Sequence, residues 1–167
     1  MASEQLCNRK TLRQTDEAGT AGENRYTPLH RASFQGDPEV VRCLVDHGAD
    51  INARDTDNWT PLYMACRCRR FETAQALLEL GADPNICTTD RHTPLHWACE
   101  IGVTDYVRIL LQHGADPRAK DRSGTTPFDD VFVLDRDNPA KEEILDLFRQ
   151  YAPDLVMERY CTTGPGR

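Results

Sequence analysis

Residues Thr93 to Asp116 read TPLHWACEIGVTDYVRILLQHGAD, and the way this stretch folds decides the rest of the chain. Thr93-Pro94 predicts a helix start. Proline fits the first helical position and pushes the residue before it out of the αR region. A threonine hydroxyl at that point can accept one of the orphan N–H groups. Leu95, Ala98 and Cys99 then recur at helical spacing until Gly102 stops the helix. A second helix carries Tyr106, Val107, Leu110 and Leu111 on one face, with Gly114 as a left-handed stop. Neither helix is long enough to hold alone in water, so each needs a neighbour to stack against.

That neighbour is the same unit again. Thr27, Thr60, Thr93 and Thr126 each precede a proline and follow one another at intervals of 33 residues. Leu29, Leu62, Leu95 and Phe128 share one phase, Ala32, Ala65 and Ala98 a second, and Gly48, Gly81 and Gly114 a third. The runs TPLHRA at Thr27, TPLYMA at Thr60 and TPLHWA at Thr93 resemble the ankyrin-repeat family, and TPFDDV at Thr126 is a decayed copy. The resemblance implies an all-α solenoid of stacked helix-loop-helix units joined by β-hairpin-like fingers. On that reading residues 1–22 are a flexible arm and residues 156–167 a flexible tail. Between them, residues 23–155 hold four repeats beginning near residues 24, 57, 90 and 123.

The composition narrows the function classes. Lys plus Arg number 20 against 27 Asp plus Glu, a net charge of −7, so no basic excess exists to displace counterions from nucleic acid or to hold an anionic membrane. No apolar run approaches a membrane span, and MASEQLCNRK lacks the apolar core of a signal peptide. Seven cysteines, an odd number without a short-domain framework, fit reduced thiols in the cytosol or nucleus.

Departures from the repeat are informative. Asn58 stands at a finger tip where the family usually has Gly, and Asn tolerates the left-handed region. Arg69 stands in the phase of Gly36 and Gly102, so a side chain is expected at a helix stop that favours positive φ. Around it Arg67-Cys68-Arg69-Arg70 forms a basic run, read either as a solvated charge run or as a docking site for an acidic partner. In the fourth unit Asp129 replaces the helix-start His, Tyr151 stands in the Gly48 phase, and four extra residues fall around Asp135 to Pro139. Terminal repeats are expected to be atypical because one face meets water.

Catalytic and metal chemistry find little footing. His30 and His96 sit at helix starts and resemble family histidines that bond backbone or the threonine hydroxyl; His47 and His113 share a phase. Only His92 falls outside these phases, and no nucleophile signature stands beside it. Cys66, Cys68, Cys87 and Cys99 invite a zinc reading, but Cys66 and Cys99 share the phase of Ser33, a small packing slot, and paired ligand spacing is missing. Asp135 to Pro139 lacks the turn glycine of a calcium loop. No cofactor and no metal are expected.

The resemblance implies a non-catalytic module that binds another protein through finger tips and first-helix ends, as a monomer in the cytoplasm or also the nucleus. The alternatives are a recruitment subunit of a larger complex, such as a ubiquitin ligase adaptor, or a secreted microbial effector. The residues at those positions are Tyr26, Trp59 and His92 before the Thr-Pro pairs, and Phe34, Gln35, Arg67, Cys68, Glu100 and Ile101 near the helix ends. Tyr26 and Trp59 serve either as partner anchors or as packing for the neighbouring finger. Asn52 and Asn85 also resemble the acceptor positions of an asparaginyl hydroxylase, whereas Arg118 takes the equivalent place in the third unit.

Overall fold

The structure is a computed structural model that describes residues 25–134 and 138–162, the last five by backbone alone. Among the described residues there are nine α-helices and no strand. Each Thr-Pro pair opens a first helix: α1 Pro28–Gln35, α3 Pro61–Arg67, α5 Pro94–Ile101 and α7 Pro127–Asp130. The second helices are α2 Pro38–Asp46, α4 Phe71–Glu79, α6 Thr104–Gln112 and α8 Pro139–Tyr151, and α9 Pro153–Thr162 follows. Thr27, Thr60, Thr93 and Thr126 are extended, and each hydroxyl accepts the N–H of the residue three positions on. This is the capping arrangement that the Thr-Pro pairs predict.

The chain divides into two compact units, Met1–Thr89 and Asp90–Arg167. In the first, α1 packs on α3 and α2 on α4, so two repeats lie side by side in two helical layers. Leu29, Val41, Leu62, Ala65, Cys66 and Leu77 fill the space between them. In the second, α5 packs on α7, α6 on α8, and α8 on α9, around Leu95, Val107, Leu110, Phe128, Ile144 and Phe148. Burying a leucine of this kind stabilises by about 1.5–3 kcal/mol, which is what the short helices cannot supply alone.

Arg69 adopts φ +56°, matching Gly36 at +82° and Gly102 at +72°. The stop therefore keeps its shape without glycine: Arg69 N–H donates to Cys66 O at 2.9 Å and Arg70 N–H to Ala65 O at 2.9 Å. The fingers close as hairpins do, but without strands. Asp55 N–H donates to Trp59 O at 3.1 Å, while the Asp55 carboxylate accepts the N–H groups of Asp57 and Trp59 at 2.9 and 2.8 Å. Asn58 turns the tip at φ +59°. Asp121 repeats the design with Thr125, and Gly124 turns that tip at φ +83°. Besides that bond, each of these fingers has one more backbone bond across its tip, Asn58 N–H to Asp55 O and Gly124 N–H to Asp121 O at 3.2 Å, and no ladder forms.

Two further expectations change. The tail expected from residue 156 begins as helix, since α9 runs to Thr162 with Val156 buried. The remaining residues of that tail, 163–167, and the expected arm 1–22 lie outside the described residues, as do 135–137. Cys66, Cys68, Cys87 and Cys99 are free thiols, whereas Cys43 is disulfide-bonded, against the expectation of a wholly reduced set.

Candidate functional site

The helix-start histidines tie each first helix to the finger that follows it. His30 Nδ1 accepts the Thr27 N–H at 3.2 Å, so that nitrogen carries no proton. The proton sits on Nε2, which donates to Trp59 O at 2.9 Å. His96 does the same between Thr93 N–H at 3.1 Å and Thr125 O at 3.2 Å. Burial lowers the pKa of both rings from the ordinary value, which agrees with neutral imidazoles. They are structural staples that fix the carbonyl just before the next Thr-Pro pair, and hence the finger. Their bonding is complete, so neither is placed to act as a base. In the fourth repeat Asp129 takes over the box, accepting from the Thr126 hydroxyl at 2.7 Å and the Thr126 N–H at 3.2 Å.

In the first unit, this fixes a set of side chains that the sequence reading singled out. Trp59 follows the finger turn and leans on Tyr63, ring centroids 5.3 Å apart, and the Arg67 guanidinium lies over its indole at 5.3 Å. Tyr26 stacks on His30 at 5.4 Å yet remains 42% exposed. Burial first, and then the nearby Cys68 and Asp55, raise the pKa of its hydroxyl, with Arg31 opposing. Phe34, at the end of α1, is 52% exposed. Its carbonyl accepts Arg70 Nε–H at 3.1 Å, and Arg70 lies so close over Gly36 that a Cβ there would meet its side chain at 2.5 Å. Gln35 and Arg67 are exposed, and Cys68 is half-buried. The structure thus brings Trp59 and Arg67 together and sets Tyr26 near Cys68. Trp59 also meets the packing reading in part, since Tyr63 and Arg67 cover it.

In the second unit the same phases look different. His92 lies 5.0 Å from His96 by ring centroids, with Nε2 3.7 Å from a Glu100 carboxylate oxygen. Ile101 is 42% exposed at the end of α5. One residue escaped the sequence reading. Asp130 is half-buried, its Oδ2 has no hydrogen-bond partner among the described residues, and burial followed by the charges of Glu100, Asp121 and Asp129 pushes its pKa up to about 7. The signal was available, because Asp130 shares a phase with Arg31, Met64 and Trp97 at the first-helix face.

The asparagines are engaged locally. Asn52 Oδ1 accepts the Asp83 N–H of the next repeat at 3.0 Å, and Asn85 is exposed with its N–H on the Asp83 carboxylate at 2.9 Å. Arg118, in the third repeat, instead pairs with Asp154 of α9. The Cys66 and Cys99 thiols are fully buried and their pKa is raised by that burial, which makes them packing groups rather than nucleophiles. Among the described residues no three His, Cys, Asp or Glu side chains converge on a metal-sized site, and no helix is long and apolar enough to cross a membrane.

A family model described as ankyrin repeats (3 copies) matches residues 2–88 and 80–131. Ankyrin repeat domain-containing protein 49 of Bos taurus is 56% identical over 34 residues, 20% of this chain and 14% of that protein. The ankyrin repeat-containing protein P1E11.10 of Schizosaccharomyces pombe is 49% identical over 37 residues, 22% of this chain and 18% of that protein. Serine/threonine-protein kinase VIK of Arabidopsis thaliana is 53% identical over 32 residues, 19% of this chain and 7% of that protein. Each likeness covers about one repeat, so the chain spans less than a fifth of the length of any of these relatives.

Proposed function

Because this chain belongs to the ankyrin-repeat family, whose repeats generally serve protein–protein interaction, we propose that it is a non-catalytic module that binds another protein. The surface we assign to binding in the first unit is formed by Tyr26, Phe34, Gln35, Trp59, Arg67 and Cys68. In the second unit His92, Glu100 and Ile101 hold the matching positions. The observation that carries the reading is the exposure of Tyr26 and Phe34, in a unit that also holds the Trp59–Arg67 contact. Large rigid rings at positions that the scaffold leaves open supply contact area at little entropic cost, and such residues dominate interface hot spots. The staples at His30 and His96 hold the fingers still, which lowers the ordering cost of binding.

The test is Trp59→Ala and Tyr26→Ala in the full chain, scored against a partner identified by affinity capture and mass spectrometry. The expected outcome is a loss of about 2 kcal/mol or more in affinity with an unchanged melting curve. An unchanged affinity, or a melting loss that accounts for the whole effect, refutes the site. We place the module in the cytoplasm or nucleus as a monomer, binding neither nucleic acid nor membrane, in keeping with the net charge of −7. Asn52 and Asn85 are proposed as hydroxylation acceptors where the host has the enzyme. An added oxygen on either residue in peptide mass spectra of native protein is the expected result, and its absence in such a host counts against it.

A further inference from the structure

We propose that the first unit takes an acidic segment of its partner protein, with carboxylates on Arg67 and Arg69 and an apolar residue against Phe34 and Tyr26. This rests on the binding face proposed above and names the chemistry that the face selects. Arg42, Arg118, Arg122 and Arg149 are each tied to a carboxylate of this chain. Arg67 and Arg69 form no ion pair among the described residues, and both are exposed. The Arg67 guanidinium lies over Trp59, 5.3 Å from the ring centroid. A cation–π contact uses the charge and not the N–H groups, and a guanidinium can present two of these to a carboxylate in a paired, bidentate geometry.

Asp55 of the finger is 8% exposed, and its Oδ1 accepts the N–H groups of Trp59 and Asp57, with no ion pair to Arg67 or Arg69 among the described residues. Arg70 adds positive charge at the end of α1, where its Nε–H meets Phe34 O. Arg31, exposed on α1, acts electrostatically on Tyr26. Four arginines, Arg31, Arg67, Arg69 and Arg70, and three aromatic rings, Tyr26, Phe34 and Trp59, therefore lie on or next to α1 and α3. Arg67 has a purely structural role to weigh against this, since a cation in the last turn of a helix favours the macrodipole. The experiment separates the two.

Short random peptides are displayed and selected on the full-length chain, and the recovered peptides are titrated against wild type, Arg67→Gln, Arg67→Lys and Trp59→Ala. The expected result is recovery of peptides rich in Asp and Glu around an apolar residue. Their affinity falls about tenfold with Arg67→Gln, is only partly kept by Arg67→Lys, and weakens with added salt, while melting is unchanged. Peptides without an acidic excess that still require Trp59 overturn the acidic partner and leave the binding face intact. Peptides indifferent to both positions, or no binders at all, overturn both. Self-association by sedimentation that Arg67→Gln abolishes makes a second copy the occupant, and overturns a separate acidic partner.

Discussion

The two units start their helices in one way and present opposite charge at matching positions. His30 and His96 make the same pair of bonds, one to the threonine amide and one to the carbonyl before the next Thr-Pro pair. One period after Arg67, however, stands Glu100, and three periods after Arg31 stands Asp130. Around Asp130 lie Glu100, Asp121 and Asp129, whereas Arg67 rests on Trp59. The repeat holds the Thr-Pro caps of the first helices and the core constant because each repeat must fit the next, while the first-helix face is left to vary. Recognition is therefore to be sought where the phases disagree, and stability where they agree.

The largest effect should come from the shared part. His30→Ala and His96→Ala each remove a fully buried ring and strand a threonine amide and a carbonyl, for a cost of about 2–4 kcal/mol in denaturant unfolding. Near-equal losses support the equivalence of the two staples, and a difference beyond about 1 kcal/mol would break it. The sign with pH follows from the lowered ring pKa values. The fold favours neutral imidazole, so this contribution is present above the unfolded pKa of about 6.5 and is lost as pH falls through the lower folded values.

Asp130 should titrate in the opposite sense and sharpen the contrast. Its folded pKa of about 7 lies above the ordinary 3.8, so the fold favours the protonated carboxyl. That contribution is full below the unfolded value and is lost as pH rises through about 7. The groups facing it are Glu100 and Cys99 from α5, Asp121 from the finger and Asp129 from its own helix. Asp130→Asn should thus gain on wild type as pH rises, by about 1 kcal/mol at pH about 8 once solvent screening at a half-exposed site is allowed for. Chemical unfolding at several pH values reads this, and a gain independent of pH removes the titration from the explanation.

What could be read from the sequence follows the same division. Leu62, Ala65 and Cys66 share phases with Leu95, Ala98 and Cys99, and all six are buried, because a constant period forces constant neighbours. The exposure of Tyr26, Phe34 and Ile101 was legible for the complementary reason. The finger was not fully legible, because a hairpin and an aspartate-held turn share the same spacing, and only the Asp55 bonds decide between them. Helix α9 was missed since periodicity is silent beyond the last repeat; what holds Pro153–Thr162 includes Val156 in the core and the Arg118–Asp154 pair. Asp130 was missed because its state depends on charges from three separate segments.

The smallest effect tests the one stop where the two units differ in backbone chemistry. Gly36 and Arg69 close the two first helices of the first unit, and Gly102 closes α5 in the second. All three have positive φ, and only Arg69 carries a Cβ into that region. A side chain there costs up to about 1 kcal/mol, so Arg69→Gly should stabilise by that much or less, because glycine also gains entropy in the unfolded chain. The reciprocal change is harsher than its chemistry suggests. A Cβ at Gly36 would meet the Arg70 side chain at 2.5 Å, so Gly36→Ala must add left-handed strain and also displace the guanidinium from Phe34 O. A fall of the denaturation midpoint in Arg69→Gly would mean that the arginine contributes a folded-state contact worth more than the strain it carries. Unchanged stability in Gly36→Ala would mean that Arg70 does not hold the end of α1.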